Sequence, residues 1–220
     1  MCFEKGLFSL AYAGSVRYYA AMLACKDVVV SIGDRRSKMS WNTNHCNLVG
    51  ANGKQTLTLP ILKPIGEPQR TLNDVMISKH GDWRRVHWGA LFSAYGKSPF
   101  FEYISDELQS IYENHNLDNL VDFNKAIHNL VVDFLDLPLE VTFTTELPSI
   151  DDYTLDFRGK VGVNKPDNLS FLQNQTYWQV WQERHGFSPD LSIFDLLMNQ
   201  GREAIFTLKK MILSNQGIIR

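Results

Sequence analysis

Cysteine is scarce in this chain of 220 residues, and what there is does not pair. Cys2, Cys25 and Cys46 are odd in number, widely spaced and free of any Cys-x-x-Cys. That excludes a disulfide framework and predicts reduced thiols, with Cys25 and Cys46 as small apolar packing residues. Long apolar runs are missing too. Nothing approaches the roughly 18 residues needed to span a bilayer, and Met1-Cys2-Phe3-Glu4-Lys5-Gly6 lacks the basic, apolar and small-residue succession of a signal peptide. A cytoplasmic protein without membrane insertion is expected. Charge of one sign is also lacking: the formal net charge is −2, and the densest basic cluster is the short Arg35, Arg36, Lys38 group. Bulk capture of nucleic acid or of an anionic membrane is therefore not expected.

Several chemical signatures are absent as well. There is no GxxxxGK[ST] phosphate loop, no GxGxxG after the first apolar run, no HExxH and no GxSxG elbow. The histidines never fall four apart around a carboxylate, so a zinc site would need ligands from separate segments, and no metal is expected. The cofactor is left unknown.

What is present suits a packed α/β protein. Hydrophobic residues make up 44% and charged residues 21% of the chain, near globular averages. Leu7 to Ala11 reads as a first strand. Gly14 to Ala24 has helical spacing, and the β-branched Val28-Val29-Val30-Ser31-Ile32 reads as a buried strand. Together they make a plausible βαβ unit. Residues 33 to 44 read as a surface loop. Asn52-Gly53 between two apolar runs predicts a hairpin, and Leu72 to Ser78 is a further strand candidate. Asp82 can cap a helix through Trp83, His87 and Leu91. Phe100 to Tyr112 continues as another helix, and a longer one carries the stripe Leu120, Phe123, Ile127, Leu130, Val131, Phe134. Leu139 to Leu147 alternates as a strand. The polar stretch 148 to 175 reads as a loop or lid, Ser192 to Asn199 as a helix closed by Gly201, and Ala204 to Leu213 as a last helix. The fold class expected is α/β: one domain over 1–220, with a mixed sheet that starts with a βαβ-like unit and a β-hairpin and packs against helices.

Four ordered segments carry a resemblance. The first runs from Lys38-Met39-Ser40-Trp41 through Asn44-His45-Cys46 to Asn52-Gly53-Lys54-Gln55-Thr56-Leu57-Thr58-Leu59-Pro60. The second holds Asp74-Val75-Met76-Ile77-Ser78, then His80-Gly81-Asp82-Trp83-Arg84-Arg85-Val86-His87-Trp88 and Ser98-Pro99-Phe100-Phe101-Glu102-Tyr103. The third is Asp122-Phe123-Asn124, and the fourth is His185-Gly186-Phe187-Ser188-Pro189-Asp190 through Asp195 to Gly201. In order and spacing they resemble the WbqC-like protein family, over about residues 7 to 208. Members resemble proteins encoded among O-antigen and other surface-glycan genes. The resemblance thus implies an enzyme of surface-polysaccharide biosynthesis, most simply a transferase acting on an activated sugar or aminosugar. The partner it implies is a small-molecule substrate, with a nucleotide-sugar as the leading candidate. One departure stands out. Members typically open with a Gln-Pro dipeptide, an aromatic and a Pro, whereas here the matching stretch is Ser9-Leu10-Ala11-Tyr12-Ala13-Gly14. Likewise Asn44-His45 stands near the place of an Asn-Arg pair. A non-catalytic binding or scaffold protein of the same pathway is the second expectation.

The candidate site residues follow from chemistry and position. His87 and Asp195 are the expected catalytic groups, able to take a proton from an attacking amine or hydroxyl. Arg35 and Lys38, after a strand end, suit a phosphate, and Asp34 beside them is a candidate acid. Tyr12, Asn44, His45, Trp83, Asn124, Ser192 and Asn199 complete the expected substrate-binding set. The bland alternative is a solvated surface charge cluster for Arg35 and Lys38 and a packed or capping residue for the others. Asp195 and Asn199, four apart in an apolar stretch, could equally form a buried polar clamp.

Overall fold

The computed structural model describes residues 3–35, 40–62, 71–146, 154–161 and 169–213. Strand β1 (Phe3–Ser9) leads through helix α1 (Val16–Leu23) to β2 (Cys25–Ser31), and the two strands pair in parallel from Phe3↔Cys25 to Ser9↔Ser31. This is the βαβ unit the sequence predicts. Ser15 starts α1 by accepting the Tyr18 N–H, which satisfies one of the unpaired donors of the first turn. Strand β5 (Val141–Thr144) pairs parallel outside β2, and β6 (Thr154–Asp156) pairs parallel on the other side of β1. The order is β5-β2-β1-β6.

The hairpin forms a sheet of its own. Strand β3 (His45–Gly50) pairs antiparallel with β4 (Gly53–Thr58), closing at Gly50↔Gly53. Of the Asn-Gly pair, only Gly53 has positive φ, at 96°. The left-handed demand thus falls on the residue that lacks a Cβ. Leu72 to Ser78 departs from expectation: it opens with a 3₁₀ turn (Leu72–Asp74) and then makes single bridges, Met76↔Asn119 and Ile77↔Ile61. A Thr71–Asp74 capping box favours the turn over a strand.

The helices follow the apolar stripes. Helix α2 (Trp83–Tyr95) begins after Asp82, whose carboxylate pairs with Arg85 rather than with a backbone N–H. A 3₁₀ turn (Phe101–Tyr103) precedes α3 (Ser105–Glu113). Asn119 accepts from the Val121 and Asp122 N–H groups to start α4 (Leu120–Leu135). Short α5 (Gln182–His185) precedes α6 (Ile193–Gln200), capped by Ser192 and ended by Gly201 at φ 57°, and α7 (Ala204–Met211) follows a 3₁₀ turn (Gly201–Glu203). Phe8, Val30 and Phe143 make one row across the parallel sheet. On that face Tyr18 of α1 packs edge-on against Phe8, and His128 of α4 packs against Phe143. One hydrophobic cluster takes in residues from Phe8 to Met211. Each large side chain in it contributes roughly 1.5–3 kcal/mol by leaving water. Cys25 and Cys46 are both buried in this cluster.

Candidate active site at the carboxyl edge of the parallel sheet

The chain leaves β1 toward β2 on one side, while β6 returns on the other. In open α/β sheets the crevice outside the carboxyl ends of two such strands is where ligands bind. Here three charged side chains meet at that edge. Asp156 ends β6, and Arg158 follows two residues later. Arg158 donates from Nε and Nη2 to the two oxygens of Asp156, at 3.0 and 2.8 Å, and from Nη1 to Asp34 Oδ1 at 2.9 Å. The Arg158 backbone N–H also donates to Asp156 Oδ1, a local turn that sets the fork. The three side chains are 23, 16 and 26% exposed for Arg158, Asp34 and Asp156. Hydrogen bonding to Asp156 raises Arg158 further above its ordinary value. Partial burial pushes the Asp156 carboxyl up, but the Arg158 hydrogen bonds and charge outweigh it and leave Asp156 below the usual carboxylate range. A guanidinium has five N–H donors. Three side-chain donors are engaged here, and among the described residues no acceptor takes the other two. A planar, permanently charged fork with spare donors suits a phosphate or carboxylate.

Neighbouring loops are laced to this edge. The Tyr12 N–H donates to the Asn42 carbonyl, and Asn42 Nδ2 donates to the Val161 carbonyl beyond Arg158. The Thr43 hydroxyl donates to Leu10 O, and Asn124 Nδ2 donates to Thr43 O. Asn124 is thus fully buried and holds the turn at Trp41–Thr43 from below. Arg35 is exposed beside Asp34 and bridges Thr71 through its backbone. Lys38 lies outside the described residues. His45 stacks on Trp41, centroids 4.7 Å apart, and hydrogen-bonds the Trp41 carbonyl through Nδ1. Asn44 exchanges bonds with Leu59 at the hairpin base.

His87 lies elsewhere, in the core. Its Nδ1 is 2.9 Å from the Tyr12 hydroxyl, which is 2.6 Å from that of Tyr112. Its ring meets Trp83 edge-on at 5.3 Å, and the Thr58 carbonyl faces its remaining N–H. Burial depresses His87 to about 4, against the pull of the Thr58 bond. The neutral ring therefore accepts from Tyr12. Trp83 donates Nε1–H to Ser78 O, and the Arg84 guanidinium lies 4.6 Å over its ring. Burial pushes the Tyr12, Tyr112 and Cys46 groups up, so all stay protonated at neutral pH.

Asp195 forms a second buried centre. It accepts from Tyr177 at 2.7 Å and from Gln179 Nε2 at 2.9 Å, both on Oδ2. Gln179 also donates to Ser188 O and accepts the Ser188 N–H. Burial pushes the Asp195 carboxyl up to about 6, against the opposing hydrogen bonds of Tyr177 and Gln179. Asn199 Nδ2 donates back to the Asp195 carbonyl, and the Ser192 hydroxyl donates to Ala13 O. These groups staple the 177–188 segment to α6. Tyr177, Trp178 and Phe187 line an open cavity of about 520 Å3 with Thr176 and Gln182, and Trp178 is 49% exposed.

A sequence profile of the WbqC-like protein family matches residues 12–165, more than half of the chain. The chain belongs to this family. It is also 26% identical, over 86% of its length and 90% of the relative's, to the uncharacterized protein Rv1507c of Mycobacterium tuberculosis. No solved structure matches. The family match begins at Tyr12 and takes in Asp34, His87, Asp156 and Arg158 of this WbqC-like protein, but it stops short of Asp195 and the motif from His185 to Gly201.

Of the expected site residues, the structure brings Asp34 and Arg35 together at the sheet edge and sets Asn124 and Tyr12 beneath the loops around it. His87 and Trp83 gather around the Tyr12 hydroxyl, and Asp195, Ser192 and Asn199 sit on α6. No one place joins all three groups among the described residues. Arg158, Asp156, Tyr177 and Gln179 escape a reading of the sequence, because Asp156 ends, and Arg158 follows, a three-residue strand inside a polar stretch. The spacing Asp156-x-Arg158 would have been their sole signal.

Proposed function

We propose that this WbqC-like protein is an enzyme of bacterial surface-polysaccharide biosynthesis, a transferase that acts on an activated sugar or aminosugar. Family membership supports the pathway through the association of the family with surface-glycan genes. The observation that carries the reading is the Arg158 fork, with two donors that no described residue takes, at the carboxyl edge between β1 and β6. Arg158 and Arg35, with Lys38, hold the phosphates of a nucleotide-sugar. Asp34 gives only Oδ1 to Arg158, and its Oδ2 takes the proton from the attacking amine or hydroxyl of the acceptor. His87 and Asp195 enter as positioning residues: one fixes Tyr12 below the loop after β1, and the other fixes Tyr177.

Thermal unfolding of the purified protein with nucleotide-sugars, acyl-CoA thioesters, ATP with Mg²⁺ and free amino acids tests this. A nucleotide-sugar at about 100 times its dissociation constant is expected to stabilise by about 2.7 kcal/mol. No response to any nucleotide-sugar would contradict the reading. A second reading, a non-catalytic binding protein of the same pathway, draws on the internal partners of His87 and Asp195. It predicts binding with no turnover for any acceptor.

A further inference from the structure

A groove of about 760 Å3 lies between the Phe101–Tyr103 turn, the C-terminal half of α4 and the turn after α6. Phe100, Ile104, Leu130 and Phe134 line it. Glu107, Asp133 and Glu203 stand in it as well, against one cation, Arg202. Tyr103 in its wall is 70% exposed, and Phe206, just past Glu203, is 60% exposed. Contiguous apolar exposure of this kind marks an interaction surface rather than scattered surface residues.

The outer face of α7 has the opposite character. Phe206, Lys209 and Lys210 fall at i, i+3 and i+4 and share one face. All three are exposed, whereas Ala204, Thr207, Leu208 and Met211 bury the other face. One half of the patch is therefore an apolar groove with three carboxylates. The other half is an aromatic ring with two cations, Lys209 and Lys210. The halves meet at Arg202–Glu203, on one side of the molecule. A surface whose two halves complement each other is what a two-fold interface needs, because each copy then offers both halves at once.

We infer that the groove is filled by α7 of a second copy of this chain in a two-fold dimer. Phe206 of each copy inserts between the part-exposed Phe100 and Phe134 of the other, and Lys209 and Lys210 face Glu107 and Asp133. The contact is independent of the sheet-edge site, so its failure would leave the proposed activity untouched.

Sedimentation equilibrium on the full chain tests it. The wild type is expected to be a dimer that weakens as salt rises, a readout that needs no variant. Lys209→Glu/Lys210→Glu carries acid on both halves, and Glu107→Lys/Asp133→Lys carries base on both. Each is expected to weaken self-association at least tenfold, about 1.4 kcal/mol or more, through like-charge contact. Mixed in equal amounts, the two pair with each other, because both contacts of the mixed dimer are then complementary. Misfolded variants could not give that result. A wild type that stays a monomer at high micromolar concentration, or a dimer that neither variant weakens, would overturn the inference.

Discussion

At neutral pH Asp195 is a carboxylate held against its surroundings. Its value of about 6 in the folded protein lies above the roughly 3.9 of an unperturbed Asp. The folded state thus binds this proton more tightly than the unfolded state does. The stabilising contribution of the protonated group is complete below about pH 4 and is lost as pH rises through 6, a cost of about 3 kcal/mol at neutrality. His87 and His128 run the other way. Burial depresses both to about 4, so their contribution is complete above about pH 6.5 and is lost as pH falls through 4. Two histidines outweigh one aspartate, and stability is expected to fall between pH 6.5 and 4. Asp195→Asn keeps an oxygen for Tyr177 and Gln179 but removes the opposing titration. Urea unfolding at several pH values should show it at least as stable as wild type at pH 7, with a steeper acid loss. Identical pH profiles would show that Asp195 does not titrate as its burial requires. Residue identity was legible here and burial was not: a polar residue in Leu-Ser-Ile-Phe-Asp-Leu-Leu-Met-Asn can face a ligand or a neighbouring loop, and the Tyr177 and Gln179 donors that decide between them come from a segment with no periodicity.

Elements set the positions of these residues, and the close approach of β2 to β5 is the tightest example. A Cβ at Gly33 would lie 1.9 Å from the Thr145 carbonyl oxygen. Gly33→Ala therefore has to part the ends of the two strands, at a cost of typically 1–3 kcal/mol for overpacking, more where backbone must move. The same shift displaces Asp34, the next residue, so the variant should lose both stability and any ligand response at the sheet edge. Normal ligand response in a destabilised Gly33→Ala would separate Asp34 from the site. Tyr177→Phe tests the staple: it leaves Asp195 short of one donor and should cost about 1–3 kcal/mol, read as a drop in unfolding midpoint. The strong elements were readable because each has its own period or cap: the alternation after Gly53, the β-branched run of β2, the stripe of α4. Strand β6 was not. It is three residues long, pairs through backbone in register with β1, and its Thr-Leu-Asp has no pattern that differs from a loop. Leu72–Ser78 erred in the opposite direction, because a local capping box competes with β-propensity and wins.

Across the whole molecule, the parallel sheet and the hairpin serve different ends. The sheet brings the chain after β1, β2 and β6 to one edge, where Asp34, Asp156 and Arg158 meet. The hairpin and α6 pack Tyr12 and its neighbours beneath that edge. Tyr12, where the family match begins, is fully buried and bonded to His87 and Tyr112. No helix among the described residues is long and apolar enough to cross a membrane. The central claim is that Arg158 receives the phosphates of a nucleotide-sugar, and calorimetric titration of wild type, Arg158→Lys and Arg158→Ala with that ligand tests it most directly. Binding should fall at least tenfold in Arg158→Lys, which keeps charge and loses the fork, and further in Arg158→Ala, with the fold retained by circular dichroism. Equal affinity in all three would contradict the account and move the site away from the sheet edge.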